Sequence, residues 1–226
     1  MRWLSGGGVL AAVAVGTAVT AGLGWRGLVP LFAFFLSGSL LTQASGGSGG
    51  TRTVRQVLAN GGVAALAAAM GHWPATAGAL AAATADTWAT EIGAFSPRPP
   101  RSIATGAPVS AGASGGITLL GTVGGTLGAI GIAALMVWLF RGPVISVAAI
   151  AIAGVAGMLA DSWLGATVQG VFECPACGAQ VERGDILCHE PVRRIRGWTW
   201  LDNNGVNLAA TLIGAGLAAA GWQLLR

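Results

Sequence analysis

Hydrophobic positions in this chain fall into long blocks, with neither the two-residue alternation of a half-buried strand nor the stripe of a surface helix. Seven apolar segments stand out, at about residues 4–22, 28–44, 57–71, 74–92, 115–139, 143–168 and 205–225. A helix of about 20 apolar residues crosses a bilayer. The pattern therefore predicts an all-α, polytopic transmembrane helix bundle of about seven spans, occupying residues 1–226 as one integral membrane domain. The third segment is short and contains Asn60-Gly61-Gly62, which predicts a broken or partly inserted helix; without it the count is six. The first segment, behind Arg2, has the look of a signal peptide, but a second apolar run follows within a few residues and favours a retained span.

Composition agrees with this picture. Hydrophobic residues make up 54% of the chain and charged residues 9%, against about 25% charged in soluble domains. There are 38 glycines, and small residues let transmembrane helices approach closely. The pairs Gly121/Gly125 and Gly124/Gly128 are read as helix-packing positions. The net charge of +4 points to arginines in membrane loops, and no nucleic-acid partner is expected.

The arginines also predict orientation. With seven crossings, Arg2, Arg52, Arg55, Arg98, Arg101, Arg183, Arg193, Arg194 and Arg196 fall on one side, and Arg26, Arg141 and Arg226 on the other. Positively charged loops stay in the cytoplasm. This predicts a cell (inner) membrane protein with a cytoplasmic N-terminus and an external C-terminus. The loops 45–56, 94–114 and 170–203 then face the cytoplasm, the last as a small charged lobe.

Against this apolar background, polar residues at span ends carry the candidate chemistry. Ala85-Asp86-Thr87-Trp88-Ala89-Thr90-Glu91 closes the fourth segment, and Ala160-Asp161-Ser162-Trp163 echoes it at the end of the sixth. Acids at such positions are costly and usually face a polar cavity, a partner or a metal ion. Asp86 and Glu91 lie about 140° apart on an ideal helix, so either the helix breaks or they play separate roles. Asp86 and Asp161, from two spans, suit Mg²⁺ held between carboxylates and substrate phosphates, with Asp202 as a third contributor. The bland alternative is that the acids cap helices and pair with Arg52, Arg98 or Arg194. Asn60, Asn203, Asn204 and Asn207 add amides at the same predicted depth, suited to phosphate oxygens or a base edge, beside Thr87. Arg52, Arg55, Arg98 and Arg101 would attract a polyanionic nucleotide.

Two loops are less specific. Gly46 to Gly50 reads as a flexible linker, whereas Gly112-Ala113-Ser114-Gly115-Gly116 opens the fifth segment and could offer N–H groups to phosphate. In the 170–203 loop, Cys174, Cys177 and Cys188 with His189 suggest a structural zinc knuckle. The fourth ligand is His189, Glu173, Glu190, water or another chain, and reduced thiols are the alternative. His72 receives no role.

Five stretches together resemble a known family. They are Gln56-Val57-Leu58-Ala59-Asn60-Gly61-Gly62, Asp86-Thr87-Trp88-Ala89-Thr90-Glu91-Ile92-Gly93 and Gly115-Gly116-Ile117-Thr118, followed by Asp161-Ser162-Trp163-Leu164-Gly165-Ala166-Thr167-Val168-Gln169 and Asp202-Asn203-Asn204-Gly205-Val206-Asn207. In this order, across about residues 28–215, they resemble the family that groups transmembrane protein 19 of animals, the phytyl-phosphate kinase of plants and the domain of unknown function 92. Ala85 stands where glycine commonly precedes the aspartate, and Thr90 where serine is common. The resemblance implies a multi-pass membrane protein. Through its plant member it implies phosphoryl transfer from a nucleoside triphosphate, CTP, to a prenyl or other isoprenoid lipid monophosphate, and the Mg²⁺ expected from the residues at Asp86 and Asp161 would bridge the donor phosphates. Glu91 and Asp202 join the acidic set, and a homo-oligomer is compatible with it. The rival classes are a transporter of small solutes or ions and a non-catalytic membrane scaffold.

Overall fold

The computed structural model describes residues 3–46, 51–181, 186–188 and 190–225. Six helices carry the fold: α1 (Gly6–Ala44), α2 (Val54–Ala69), α3 (Trp73–Gly93), α4 (Leu119–Phe140), α5 (Ile145–Thr167) and α6 (Asn203–Leu224). Four of them, α1, α4, α5 and α6, are long and apolar enough to cross a membrane.

α1 is two antiparallel limbs. Gly24 sits at φ 63°, ψ −159°, a conformation that glycine alone adopts without strain. Were α1 straight, Trp3 and Phe35 would lie about 48 Å apart along its axis. Their ring centroids are 5.9 Å apart, so the chain turns back on itself at Gly24. The first two apolar segments are thus a helical hairpin.

α2 corrects one expectation. It runs unbroken through Asn60-Gly61-Gly62, opened by a Thr53–Gln56 capping box. The glycine serves contact here, since a Cβ on Gly61 would meet Val15 at 3.1 Å. The buried Ala59 carbonyl also accepts a bond from Thr211 Oγ1 of α6 at 3.2 Å. At 16 residues the helix is about 24 Å long.

α3 is the centre of the bundle and packs against every other helix. All residues from Thr76 to Ala85 are buried. Its alanines and glycine leave room for neighbours on all sides, as close packing in lipid requires. α4 meets it through the expected glycines: a Cβ on Gly125 would come 2.5 Å from the Ala85 carbonyl oxygen, and one on Gly128 would touch Trp88 and Thr84. Large side chains such as Leu10, Phe32, Leu119, Trp138, Ile152 and Leu212 stay exposed around the outside, where lipid would cover them.

The bundle has two unlike ends. At one, Trp73 stacks on Phe140 and meets Trp222 edge-on, with centroids 5.3 and 4.8 Å apart. His72 is there too, its Nδ1 accepting from the Ala75 N–H as the cap of α3. The other end gathers the polar segments. The helices α1, α2, α4 and α6 begin at this end, capped by Ser5, Thr53, Thr118 and Asp202.

Two β elements close the polar end, and neither has enough residues to show a periodic pattern. The proline-rich loop after α3 forms a hairpin of β1 (Arg101–Ser102) and β2 (Gly116–Ile117), with Arg101 opposite Ile117. The charged loop after α5 is a β lobe. Its strands are β3 (Val171–Glu173), β4 (Gln180–Val181), β5 (Ile186–Leu187), β6 (Glu190–Pro191) and β7 (Arg193–Arg196), arranged as a sheet in the order β4-β3-β7 and a separate β5-β6 pair.

Candidate functional site

Helix packing sets the height of the two aspartates. α3 and α5 both run from the aromatic end to the polar end. They touch where a Cβ on Gly157 would lie 2.6 Å from the Ala82 Cβ and 2.7 Å from the Ala210 carbonyl oxygen of α6. Asp86 and Asp161 each lie four residues beyond this contact, one helical turn nearer the polar end. Both line a cavity of about 1100 Å³ that opens there.

The cavity walls come from several elements. α3 supplies Asp86, Thr87, Thr90 and Glu91, and α5 supplies Asp161 and Ser162; α6 supplies Asn203 and Asn207. Residues 111–118 of the β1–β2 hairpin form a further wall, and Arg52 and Arg98 bring positive charge. With its amide oriented so that nitrogen faces acceptors, Asn207 donates to Asp161 Oδ2 at 2.7 Å and to the Asn203 carbonyl at 3.2 Å. Asp86 lines the same cavity from α3, one turn beyond the buried Ala82.

Glu91 has a different task from Asp86, as their angular separation on one helix anticipates. α3 does not break. Glu91 accepts from Thr42 Oγ1 at 2.6 Å and from Ser45 Oγ at 2.5 Å, both on the end of α1. The Arg52 guanidinium lies nearby, 5.2 Å from the Phe35 ring. Burial lowers its pKa from the ordinary value, while the charge of Glu91 pushes it back up. Arg52 is fixed through its backbone, its N–H bonded to the Trp3 carbonyl and its carbonyl accepting from the Ser5 N–H.

Other expected residues stand apart from the cavity wall. Asp202 caps α6 by accepting from the Gly205 N–H at 3.1 Å. It also pairs with Arg55 at 3.3 Å, and Asn204 Nδ2 donates to the same carboxylate at 3.3 Å. This is the capping and ion-pairing role weighed as the alternative for the acids, and it is where Asp202 and Arg55 are placed. Asn60 donates to the Gln56 carbonyl at 3.0 Å and faces a second, apolar cavity.

That second cavity, about 790 Å³, is a groove between the two limbs of α1 and α2. Val9, Val13, Leu28, Phe32 and Val57 are among its lining. Arg52, Gln56 and Thr87 line both the groove and the polar cavity.

Several polar groups here escaped the sequence reading. Ser39, Thr42, Gln43 and Ser45 line the cavity from α1; the signal was the hydroxyl-rich close of an apolar run, the same feature that marks Asp86 and Asp161. Gln169 is buried and donates to Ser114 Oγ at 3.2 Å, tying the β lobe to the hairpin wall.

The residues present suit a hard divalent cation. Asp86 and Asp161 both offer carboxylate oxygens to a polar cavity, the donor type that such a cation takes. The thiols form a separate group in the β lobe. The Sγ atoms of Cys174, Cys177 and Cys188 lie within 4.8 Å of one another. His189, the expected fourth ligand, lies outside the described residues.

Comparison with known proteins gives a consistent answer. The family model described as "Integral membrane protein DUF92" matches residues 1–215. The chain is 30% identical over 249 aligned positions to Protein PGR of Arabidopsis thaliana, covering 92% of this chain and 84% of that protein. It is 31% identical over 226 positions to an uncharacterized membrane protein of Methanocaldococcus jannaschii, covering 94% and 83%. No solved structure matches the chain.

Proposed function

This chain belongs to the integral membrane protein family DUF92, and we propose that it is a membrane-embedded phosphotransferase that phosphorylates a lipid monophosphate. One observation carries the reading: a polar, acid-lined cavity and an apolar groove meet at Arg52, Gln56 and Thr87. A nucleoside triphosphate fits the first and a long hydrocarbon chain the second. Their junction is where the acceptor phosphate would meet the donor. The family resemblance suggests CTP as donor and an isoprenoid phosphate as acceptor, and the excess of arginines in the loops at the polar end supports its facing the cytoplasm of the cell membrane.

In this reading Asp86 and Asp161 would hold Mg²⁺, which would supply charge neutralisation for the donor phosphates. Asn207 keeps the Asp161 carboxylate turned to the cavity. Arg52 neutralises the acceptor monophosphate, and Glu91 with Thr42 and Ser45 holds the end of α1 in place beside it. An acceptor phosphate oxygen attacks the terminal phosphorus of the donor. The bond from that phosphorus to the bridging oxygen breaks, and the nucleoside diphosphate leaves with the electron pair. The product is a lipid diphosphate. No protein nucleophile is needed, because such catalysis is positioning and charge stabilisation. Four helices start at the polar end, and their N-terminal dipoles favour bound anions there.

The test is purified protein in lipid nanodiscs with labelled CTP and a panel of prenyl monophosphates. Transfer of label to the lipid, dependent on Mg²⁺, is the expected outcome. Nucleotide binding without any transfer across a panel of chain lengths and donors would contradict the reading.

A further inference from the structure

The β lobe holds a group of side chains that the proposed phosphotransfer does not use. We propose that Cys174, Cys177 and Cys188 bind one Zn²⁺ as a tris-thiolate site, and that this ion locks the lobe against the polar end of the bundle. The inference is independent of the phosphotransfer reading.

Geometry supports it at three levels. The three Sγ atoms lie mutually within 4.8 Å, and those of Cys177 and Cys188 are 3.4 Å apart. Tetrahedral zinc with Zn–S bonds near 2.3 Å sets S···S separations of about 3.8 Å, so small side-chain adjustments admit the ion. The backbone around the first two thiols is already a metal-wrapping turn. The Cys174 N–H bonds to the Ala179 carbonyl at 2.9 Å, and the Gly178 N–H bonds to the Cys174 carbonyl at 2.8 Å. Gly178 takes φ 69° to close it.

The third thiol comes from elsewhere. Cys188 follows β5 at the turn into β6, with φ 51°. A left-handed backbone at a residue other than glycine is uncommon and carries a cost. Among the described residues, the β5–β6 pair shares no strand pairing with the β4-β3-β7 sheet. An isolated two-stranded hairpin is marginally stable in water. A metal ion shared by Cys174 and Cys177 from one sheet and Cys188 from the other joins the two pieces. Three soft thiolates select zinc over Mg²⁺ or Ca²⁺. The fourth coordination position would be filled by water or another donor, and none of the three cysteines is among the residues that line the polar cavity, which favours a structural role.

The lobe is coupled to the helices through β7, which pairs with β3 immediately before Cys174. Arg196 of β7 donates to the carbonyls of Ala166 and Gly165, at 2.6 and 2.9 Å, on the last turn of α5. α5 carries Asp161. Gln169 links the same region to Ser114 on the cavity wall.

The experiment uses full-length protein purified without chelators. Metal analysis should return about one zinc per chain, and Cys174→Ser, Cys177→Ser and Cys188→Ser should each lower it several-fold. Because a cysteine variant can fail to fold, the wild-type protein is also exchanged with Co²⁺. Thiolate-to-cobalt charge-transfer bands with intense tetrahedral d–d bands are expected. Modification of the thiols with an organomercurial should release the bound metal in step with the loss of these bands. Folded wild-type protein with three reduced, titratable thiols, no zinc and no cobalt spectrum would overturn the proposal. So would a Cys177–Cys188 disulfide in protein kept under reducing conditions.

Discussion

Asn207 of α6 donates its side-chain amide to Asp161 Oδ2 of α5 at 2.7 Å. The contact crosses a helix interface one turn from the place where Gly157 meets Ala210, so packing and polar geometry are set together. Hydrogen bonds to charged groups contribute about 1.5–3 kcal/mol. Asn207→Leu should therefore lower stability by an amount in that range and reduce turnover more than it reduces nucleotide binding. A double-mutant cycle with Asp161→Asn, read by unfolding in detergent, should show coupling; additive effects would place the two side chains in separate roles.

Gly157 tests the packing beneath the site. A valine there has no space against the Ala82 Cβ and the Ala210 carbonyl. Overpacking of this kind costs typically about 1–3 kcal/mol, and here it also spreads Asp86 from Asp161. Gly131→Ala is the control, since nothing lies within 4 Å of its added Cβ. Thermal unfolding should fall for Gly157→Val and hold or rise slightly for Gly131→Ala.

Much of this arrangement is legible in the chain. The apolar blocks mark every helical segment, the glycines of α4 mark its contact with α3, and the acids at the ends of two runs do line one cavity. The fine placement depends on partners distant in sequence. Asn60-Gly61-Gly62 suggests a break, but Val15 and Thr211, from α1 and α6, pack or bond around that stretch and the helix continues. Asp202 stands among the candidate acids, and its pairing with Arg55, far earlier in the chain, has no signal in the sequence. Strands of two to four residues carry no periodicity, so the β lobe is visible only as a charged loop.

Glu91 anchors the end of α1. Replacing it with Gln removes the charge that Thr42, Ser45 and Arg52 face. Glu91→Gln should weaken protection of the 42–46 backbone in hydrogen exchange by roughly tenfold, the equivalent of about 1.4 kcal/mol, while α4 and α5 stay protected. Unchanged exchange at Thr42 and Ser45 would count against the anchoring role.

The groove between the limbs of α1 and α2 should be separable from the polar cavity. Ala12 lines the groove and is not among the residues that line the polar cavity. Ala12→Trp should raise the KM for the lipid phosphate roughly tenfold or more, the scale of a filled hydrophobic pocket. The Kd for the nucleotide should not move. Equal losses for both ligands would show that the groove holds no part of the acceptor.

Asp86 and Asp161 carry the central claim, so the most direct measurement is label transfer from CTP to a prenyl monophosphate by wild type, Asp86→Asn, Asp161→Asn and the double variant, each shown to be folded. The substitutions keep side-chain volume and remove one charge each. The account predicts that either single variant loses on the order of 10² or more in rate, and that the double variant is little worse than the poorer single one, since residues acting as a unit are non-additive. Wild-type rates in both folded single variants would contradict a shared catalytic site at these two aspartates.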